Sequence, residues 1–477
     1  MSVDMLRLGT EQKQGVLLAG FVAVVLAAAR WIEVSKLGPA MSLFGACYLL
    51  ALLFSSFLRP HWYLLLVIAY LPFSRIYPLS LLVDGLNMVN VILVLGGVAW
   101  LVSRRRRRGR RRIGLTEPLV GLYTLMGLIS LIPSSISGIA PMELLRDYRT
   151  WVAPILLFFI ARALVRNREH AAAILKVLAW TVLLVAVLTW KEGLDRGGRG
   201  SIDSERVPGL LEQANMMGAF LAYYGVSLLG LGLTARSWSQ RLPYLGAFLV
   251  SARAILFTFS RGAYLAIAGG AATAMALAQP LLFVAAAVGA LIAPAIYPPL
   301  LPDAVRDRLD PAVFQGSFDS LGAPGEGLDA SSAMRLALWD GAFALIGANP
   351  VFGVGLARFE SRIDDYTSIQ LDRDDPRDAH NAFLLTASEM GLPALAVLLA
   401  LLTAWALKAL ALRFRRRDPF DRQLGVIFLG SLSAVIISCM LGSRFSQEAL
   451  IGYFWILAAL VVVVSRLRDE PSLGRRR

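Results

Sequence analysis

The sequence predicts an all-α, polytopic membrane protein, and three observations predict it. Of the 477 residues, 57% are hydrophobic and only 17% are charged, which is more apolar surface than one water-soluble core can hide. Apolar runs such as Met41 to Phe57, Val91 to Val102 and Tyr453 to Ser465 reach or approach the roughly 20 residues that cross a bilayer as a helix. Charge is also sorted along the chain. The arginine-rich run Arg104 to Arg112 follows one apolar stretch, Arg413-Phe414-Arg415-Arg416-Arg417 follows another, and Arg475-Arg476-Arg477 closes the chain. Lys and Arg beside a span hold that end in the cytoplasm and meet anionic lipid. The net charge of +14 is therefore topology and lipid contact, and no nucleic-acid partner is expected.

At the usual span length, about 12–14 membrane helices are expected. They fall near 15–29, 41–57, 62–78, 89–103, 117–133, 149–164 and 172–190, then 214–234, 242–259, 262–278 and 281–297. The last three lie near 383–411, 424–443 and 450–466. Gly15 to Ala29 follows Arg7 and Lys13 and ends in three alanines, as a signal peptide does, but an uncleaved first span is expected given the spans that follow. The fourth span must end inside, beside its arginine run, and the twelfth beside the second run. Both termini of the multi-pass chain then fall in the cytoplasm. The third span carries Pro72 and Pro78, and the ninth carries Arg253 near its middle.

Three parts result: residues 1–297 with the first membrane helices, 298–382 as one large outer loop (periplasmic in a bacterium) containing short helices, and 383–477 with the last spans and a basic tail. Within the loop, Gly316 to Asp329 is rich in Gly and Ser and breaks regular structure. Ser331-Ser332 then supplies caps for a helix carrying Arg335 and Trp339 and running to about Gly347. Asn349-Pro350 stops it and Gly353-Val354-Gly355 turns. Such a helix is expected to lie along the membrane surface or dip into the protein.

Candidate chemistry gathers on the outer side. Of the three histidines, His61, His170 and His380, only His380 falls there, in Asp378-Ala379-His380-Asn381. Imidazole is the side chain whose ordinary pKa suits proton transfer near neutrality. Facing it across the expected topology are Arg261 in Ser260-Arg261-Gly262, at a junction between spans, and Arg335. Guanidinium donates bidentately and stays charged, so such a group suits a phosphate or pyrophosphate. Arg206, beside Pro208-Gly209 and Asn215, either contacts the same phosphate or faces water.

Each of these residues also has a structural reading. His380 also fits a helix cap, Arg261 an interfacial arginine, and Trp339 a packing or interfacial aromatic. Arg146 and Arg149 flank Asp147 and can pair with it locally. Asp372, Asp374, Asp375 and Asp378 lack a cation-ligand pattern and are expected to be solvated. Cys47 and Cys439 sit within spans and form no ligand spacing.

Taken in order, Ser260-Arg261-Gly262 at a span junction, Arg335-x3-Trp339 leading to Asn349-Pro350-x2-Gly353-x-Gly355, and Ala379-His380-Asn381-Ala382-Phe383 with Glu389-x-Gly391-Leu392 resemble the bacterial O-antigen ligase and O-antigen polymerase superfamily. The resemblance covers about Arg206 to Leu402. It implies a glycan donor carried on undecaprenyl pyrophosphate, and transfer to an acceptor sugar hydroxyl with inversion and without metal or cofactor. It also implies that Arg261 and Arg335, with Arg206 more loosely, bind the donor's pyrophosphate, and that His380 is the base. A pyrophosphate already leaves readily, so no pair of carboxylates of the glycosidase kind is required. The acceptor is lipid A–core for a ligase, a second lipid-linked repeat for a polymerase, or a protein hydroxyl. From another class, a lipid-linked glycan transporter would line an anion path with the same arginines.

Overall fold

The computed structural model describes residues 8–32, 38–77, 88–105, 114–196, 206–296, 330–367 and 377–467. Among these residues every regular element is a helix. The first four are α1 (Thr10–Ile32), α2 (Gly38–Leu58), α3 (Pro60–Tyr70) and α4 (Met88–Arg105). They are followed by α5 (Thr116–Ile129), α6 (Leu131–Ile136), α7 (Pro141–Leu164) and α8 (Arg168–Asp195). Next come α9 (Ala214–Thr234), α10 (Trp238–Leu256), α11 (Arg261–Ala278) and α12 (Pro280–Ile296). Then α13 (Ala330–Ala348) and the single turn α14 (Phe359–Arg362) precede α15 (Ala382–Arg415), α16 (Pro419–Met440) and α17 (Glu448–Val464).

The protein is thus an all-α polytopic membrane protein, and each expected span falls on helix. Among the described residues, seven helices are long and apolar enough to cross a membrane by length and composition, and shorter apolar helices accompany them. Boundaries differ where local chemistry intervenes. The third span stops early, because α3 passes into a 3-10 turn at Leu71–Phe73 that contains Pro72. The ninth runs from Trp238 to Leu256 rather than 242–259. Arg253 therefore sits in its last turn, with its guanidinium 4.3 Å over the Phe257 ring. That contact suits a cation at a helix end and removes the expected mid-span charge. The first span is integral to the bundle, since Ala19, Ala23 and Leu26 of α1 are buried.

The core lies around α17, in which every residue from Ala449 to Val464 is buried. Trp455 meets Trp405 of α15 edge-on at 5.3 Å between ring centres, and Phe158 of α7 packs on both. Edge-to-face aromatic packing adds to area burial where lipid gives helices no hydrophobic reason to associate. Around this centre, Leu17, Leu249 and Leu281 are exposed, as side chains bordering lipid should be.

Ion pairs sort to the two ends of the bundle. At one end Glu117 pairs with Arg162 at 2.6 Å and with Arg466, and Arg168 holds Asp421 at 2.7 Å. At the other end Arg75 pairs with Glu212, Arg30 with Glu192, and Arg358 with both Glu143 and Asp147. This is the sorting that the alternating order of spans requires. Asp147 pairs with Arg358 rather than remaining a local matter between Arg146 and Arg149, and Arg149 instead donates to Asn90 at 3.0 Å.

The loop segment Pro298 to Asp329 and the acidic residues Asp372, Asp374 and Asp375 lie outside the described residues. The expected helix after that loop is present as α13. It buries Leu338, Ala342 and Leu345, one stripe at helical spacing, and leaves Leu336 and Phe343 exposed. Leu338 and Ala342 pack with Phe359, Ile363 and Ala379, so α13 lies against the protein and does not float on a surface.

Candidate active site

His380 is held by three local devices. Asp378 accepts the backbone N–H of His380 through Oδ1 at 3.2 Å. Asn381 caps α15, its side-chain oxygen accepting from Phe383 N at 3.0 Å and Leu384 N at 3.2 Å. The indole N–H of Trp339 donates to the carbonyl of Ala379 at 2.8 Å. His380 itself adopts φ +47°, a left-handed conformation uncommon outside glycine that the bonds on either side enforce. Trp339 is therefore a positioning residue that ties α13 to the histidine.

The glycine-rich turn and the Glu389-Met390-Gly391-Leu392 segment turn out to be each other's partners. Gly391 has φ +84° and ψ +166°, and it breaks α15. Carbonyls freed by this break accept N–H groups from the turn: Val354 N donates to Ser388 O at 2.9 Å and Gly355 N to Glu389 O at 3.1 Å. In return Leu392 N donates to Pro350 O at 2.8 Å. The two backbones are so close that a Cβ on Gly353 would stand 2.3 Å from the Glu389 carbonyl carbon, and one on Gly391 2.1 Å from Val351 O. Glu389 is buried and accepts from Phe359 N at 3.1 Å, with the amides of Ala357 and Arg358 also turned toward it. Its carboxylate fastens the α14 turn.

Arg335 of α13 and Arg444, in the short connection between α16 and α17, both act electrostatically on His380. Arg444 is buried and donates to Ser438 Oγ at 2.8 Å. Arg261 is the first residue of α11, and the next residue, Gly262, faces Arg444: a Cβ there would be 4.0 Å from its Nη1. Arg444 thus lies near the start of α11 and also acts on the histidine. Arg206 sits one layer behind. Its Nε donates to Thr258 O at 3.1 Å, its Nη2 to Asn215 Oδ1, and Val207 N donates to Phe257 O at 3.1 Å. These bonds fix the turn through Phe259 (φ +47°) that delivers Ser260 and Arg261.

The imidazole is held neutral. Its burial pushes the His380 pKa below the ordinary value of 6.5; the Asp378 carboxylate pulls it back up, and Arg335 and Arg444 push it further down. Asp378 Oδ2 lies 3.6 Å from Nδ1, too far for a good hydrogen bond but near enough to favour an imidazolium once a proton arrives. A neutral base beside fixed cations can accept a proton while the cations hold an anion.

Arg335, which sequence reasoning set beside His380, acts on it electrostatically, and so does Arg444, which sequence reasoning did not single out. The available signal was its place in Leu441-Gly442-Ser443-Arg444-Phe445, the non-helical link after the thirteenth span, at the same end of the bundle as Arg261. Residues 246–399 match the family described as O-antigen ligase. That segment holds Arg261, Arg335, Trp339 and His380, and the resemblance to the O-antigen ligase and polymerase superfamily is borne out over it. No curated protein matches the chain.

Proposed function

We propose that the chain is an inverting, metal-independent glycosyltransferase of the O-antigen ligase kind. It moves a glycan from undecaprenyl pyrophosphate to an acceptor sugar hydroxyl at the periplasmic face of the inner membrane. One observation carries the reading: a half-buried imidazole, its pKa pushed down by burial, stands in the electrostatic reach of Arg335 and Arg444, within a chain whose segment 246–399 matches the O-antigen ligase family.

In this reading the acceptor hydroxyl enters beside His380. The face of the imidazole remote from Asp378, at Nε2, takes its proton as the oxygen attacks the anomeric carbon. The bond from that carbon to the pyrophosphate breaks, and both electrons leave with the phosphate oxygen. Arg261, Arg335 and Arg444 bind the donor and neutralise the charge gathering on the leaving group. Asp378 steadies the imidazolium formed. Arg206 acts through the 257–260 turn as a positioning residue for Arg261. The basic runs support a place for His380 on the outer side, where a donor presented to the periplasm can reach it.

The test uses purified full-length protein in nanodiscs with a glycan on undecaprenyl pyrophosphate and, in parallel, lipid A–core or a second lipid-linked repeat. Undecaprenyl pyrophosphate should be released only when an acceptor is present, and His380→Ala should abolish release while leaving donor binding intact. Normal turnover by that variant would remove the base from the proposal. Movement of the donor across vesicles with no bond cleaved would replace the enzyme with a transporter. Which acceptor supports release separates ligase from polymerase.

A further inference from the structure

At the end of the bundle remote from His380, a second cavity of about 410 Å³ opens between the last turn of α9, the start of α10, the end of α11, the last turns of α15 and the start of α16. Its polar lining includes Arg236, Arg241, Arg413, Arg422, Gln279 and Gln423, and no carboxylate is among the residues that line it. Four guanidinium groups around one hollow repel each other unless an anion joins them.

The nearby acids do not supply that anion. Asp418 and Asp421, beside the start of α16, are held by Arg168 at 3.1 and 2.7 Å, and Arg416 lies 3.9 Å from Asp421. Two of the four arginines are instead steered by helix-end carbonyls. Arg241 Nε donates to Ala235 O at 2.8 Å, and Arg413 donates to Leu277 O through Nε at 2.9 Å and Nη2 at 2.7 Å. A guanidinium has five N–H donors, so these bonds orient each fork and leave donors for a ligand. Arg236 and Arg422 are exposed at the rim. The N-terminal ends of α10 and α16 border the hollow and add their positive dipoles.

A second observation concerns a side chain that lines the same hollow. Gln423 is buried, and its Nε2 donates to Thr234 Oγ1 at 2.8 Å, while its Oε1 has no hydrogen-bond partner among the described residues. Buried acceptors are rarely left so. A ligand that carries both anionic oxygens for the arginines and a hydroxyl for Gln423 satisfies the whole lining.

We propose that this cavity is a binding site for a phosphate-bearing anion with a hydroxyl donor. The same chemistry is offered by orthophosphate in solution and by the glycerol-phosphate headgroup of an anionic phospholipid in the leaflet at this end. The site is separate from the histidine centre and holds whatever that centre does.

Full-length protein in nanodiscs tests it with two probes. Phosphatidylglycerol in a phosphatidylcholine background is followed by native mass spectrometry for retained lipid, and orthophosphate is followed by calorimetry. The variant Arg236→Gln/Arg422→Gln removes the rim charges and leaves Arg413 and Arg241 on their carbonyls. Arg104→Gln/Arg105→Gln removes two exposed charges from the end of α4 and controls for net charge. Losing charge-assisted bonds should weaken the occupant at least about tenfold in the first variant alone. Loss of phosphatidylglycerol assigns the headgroup; loss of orthophosphate with the lipid unaffected assigns the free ion. No binding of either probe, or equal weakening in both variants, overturns the site.

Discussion

The indole of Trp339 and the carbonyl of Ala379 are joined by a 2.8 Å hydrogen bond, one residue before the imidazole. This places the aromatic of Arg335-x3-Trp339 behind the histidine rather than before a sugar. Trp339→Phe keeps the ring and loses the bond. The expected loss of stability is about 1 kcal/mol, read as a small drop in Tm, with a disproportionate fall in kcat at nearly unchanged donor affinity. A fall in donor affinity alone would instead make Trp339 part of the substrate surface.

Activity should depend on pH through His380. Because burial, Arg335 and Arg444 depress its pKa below 6.5, the base is unprotonated near neutrality, and kcat/KM should rise with pH to a plateau whose midpoint lies below 6.5. Asp378→Asn removes the group that raises this pKa and should shift the midpoint further down, whereas Arg444→Gln removes one that lowers it and should shift it up. Stability follows the same sign: the contribution from a neutral His380 is complete above its unfolded pKa and is lost as pH falls through the folded one. Rate profiles of the three proteins check the order, and a shared midpoint would sink it.

Arg444 is the site residue best suited to mutation. Arg444→Ala should reduce transfer by about 10²-fold or more, the usual effect of deleting one charged donor to a developing anion. Arg444→Lys should restore charge but not the fork and recover only part of the rate. Steady-state assays with helical content followed by circular dichroism distinguish this from unfolding.

The break in α15 makes a stability prediction. Gly391 lies in a backbone region open to glycine alone, so Gly391→Ala should cost at least about 1–3 kcal/mol from strain, before the 2.1 Å approach to Val351 O is counted. Gly353→Ala should behave alike. Gly97→Ala, at a helical position with nothing within 4 Å of the added carbon, should be neutral or slightly stabilising. Thermal unfolding in detergent compares the three.

Much of the architecture was legible because membrane helices are written in long apolar runs and arginine-marked ends. Each expected span fell on helix, and the differences lie in ends and breaks: the 3-10 turn with Pro72, the shifted ends of α7 and α10, the break after Ile129 and the break at Gly391. In the candidate site, His380 and Arg335 were legible as isolated titratable or charged side chains on one side. Arg444 was visible only as an arginine in a link between spans, and its action on the histidine comes from a tertiary position. Arg206 was visible as an arginine, but only its bonds to Thr258 and Asn215 assign it to holding the turn before Arg261. Likewise the turn at Gly353 and the segment at Gly391 read as two motifs, although they are one hydrogen-bonded unit.

That unit has a mechanical outcome. Residues 382–390 and the long part of α15 meet at Gly391, and both sides of this joint are bonded to the 349–355 turn, through the Ser388 and Glu389 carbonyls and through Leu392 N. A tilt of the long rod, as a thinner or thicker bilayer would impose, therefore meets a braced hinge before it meets His380.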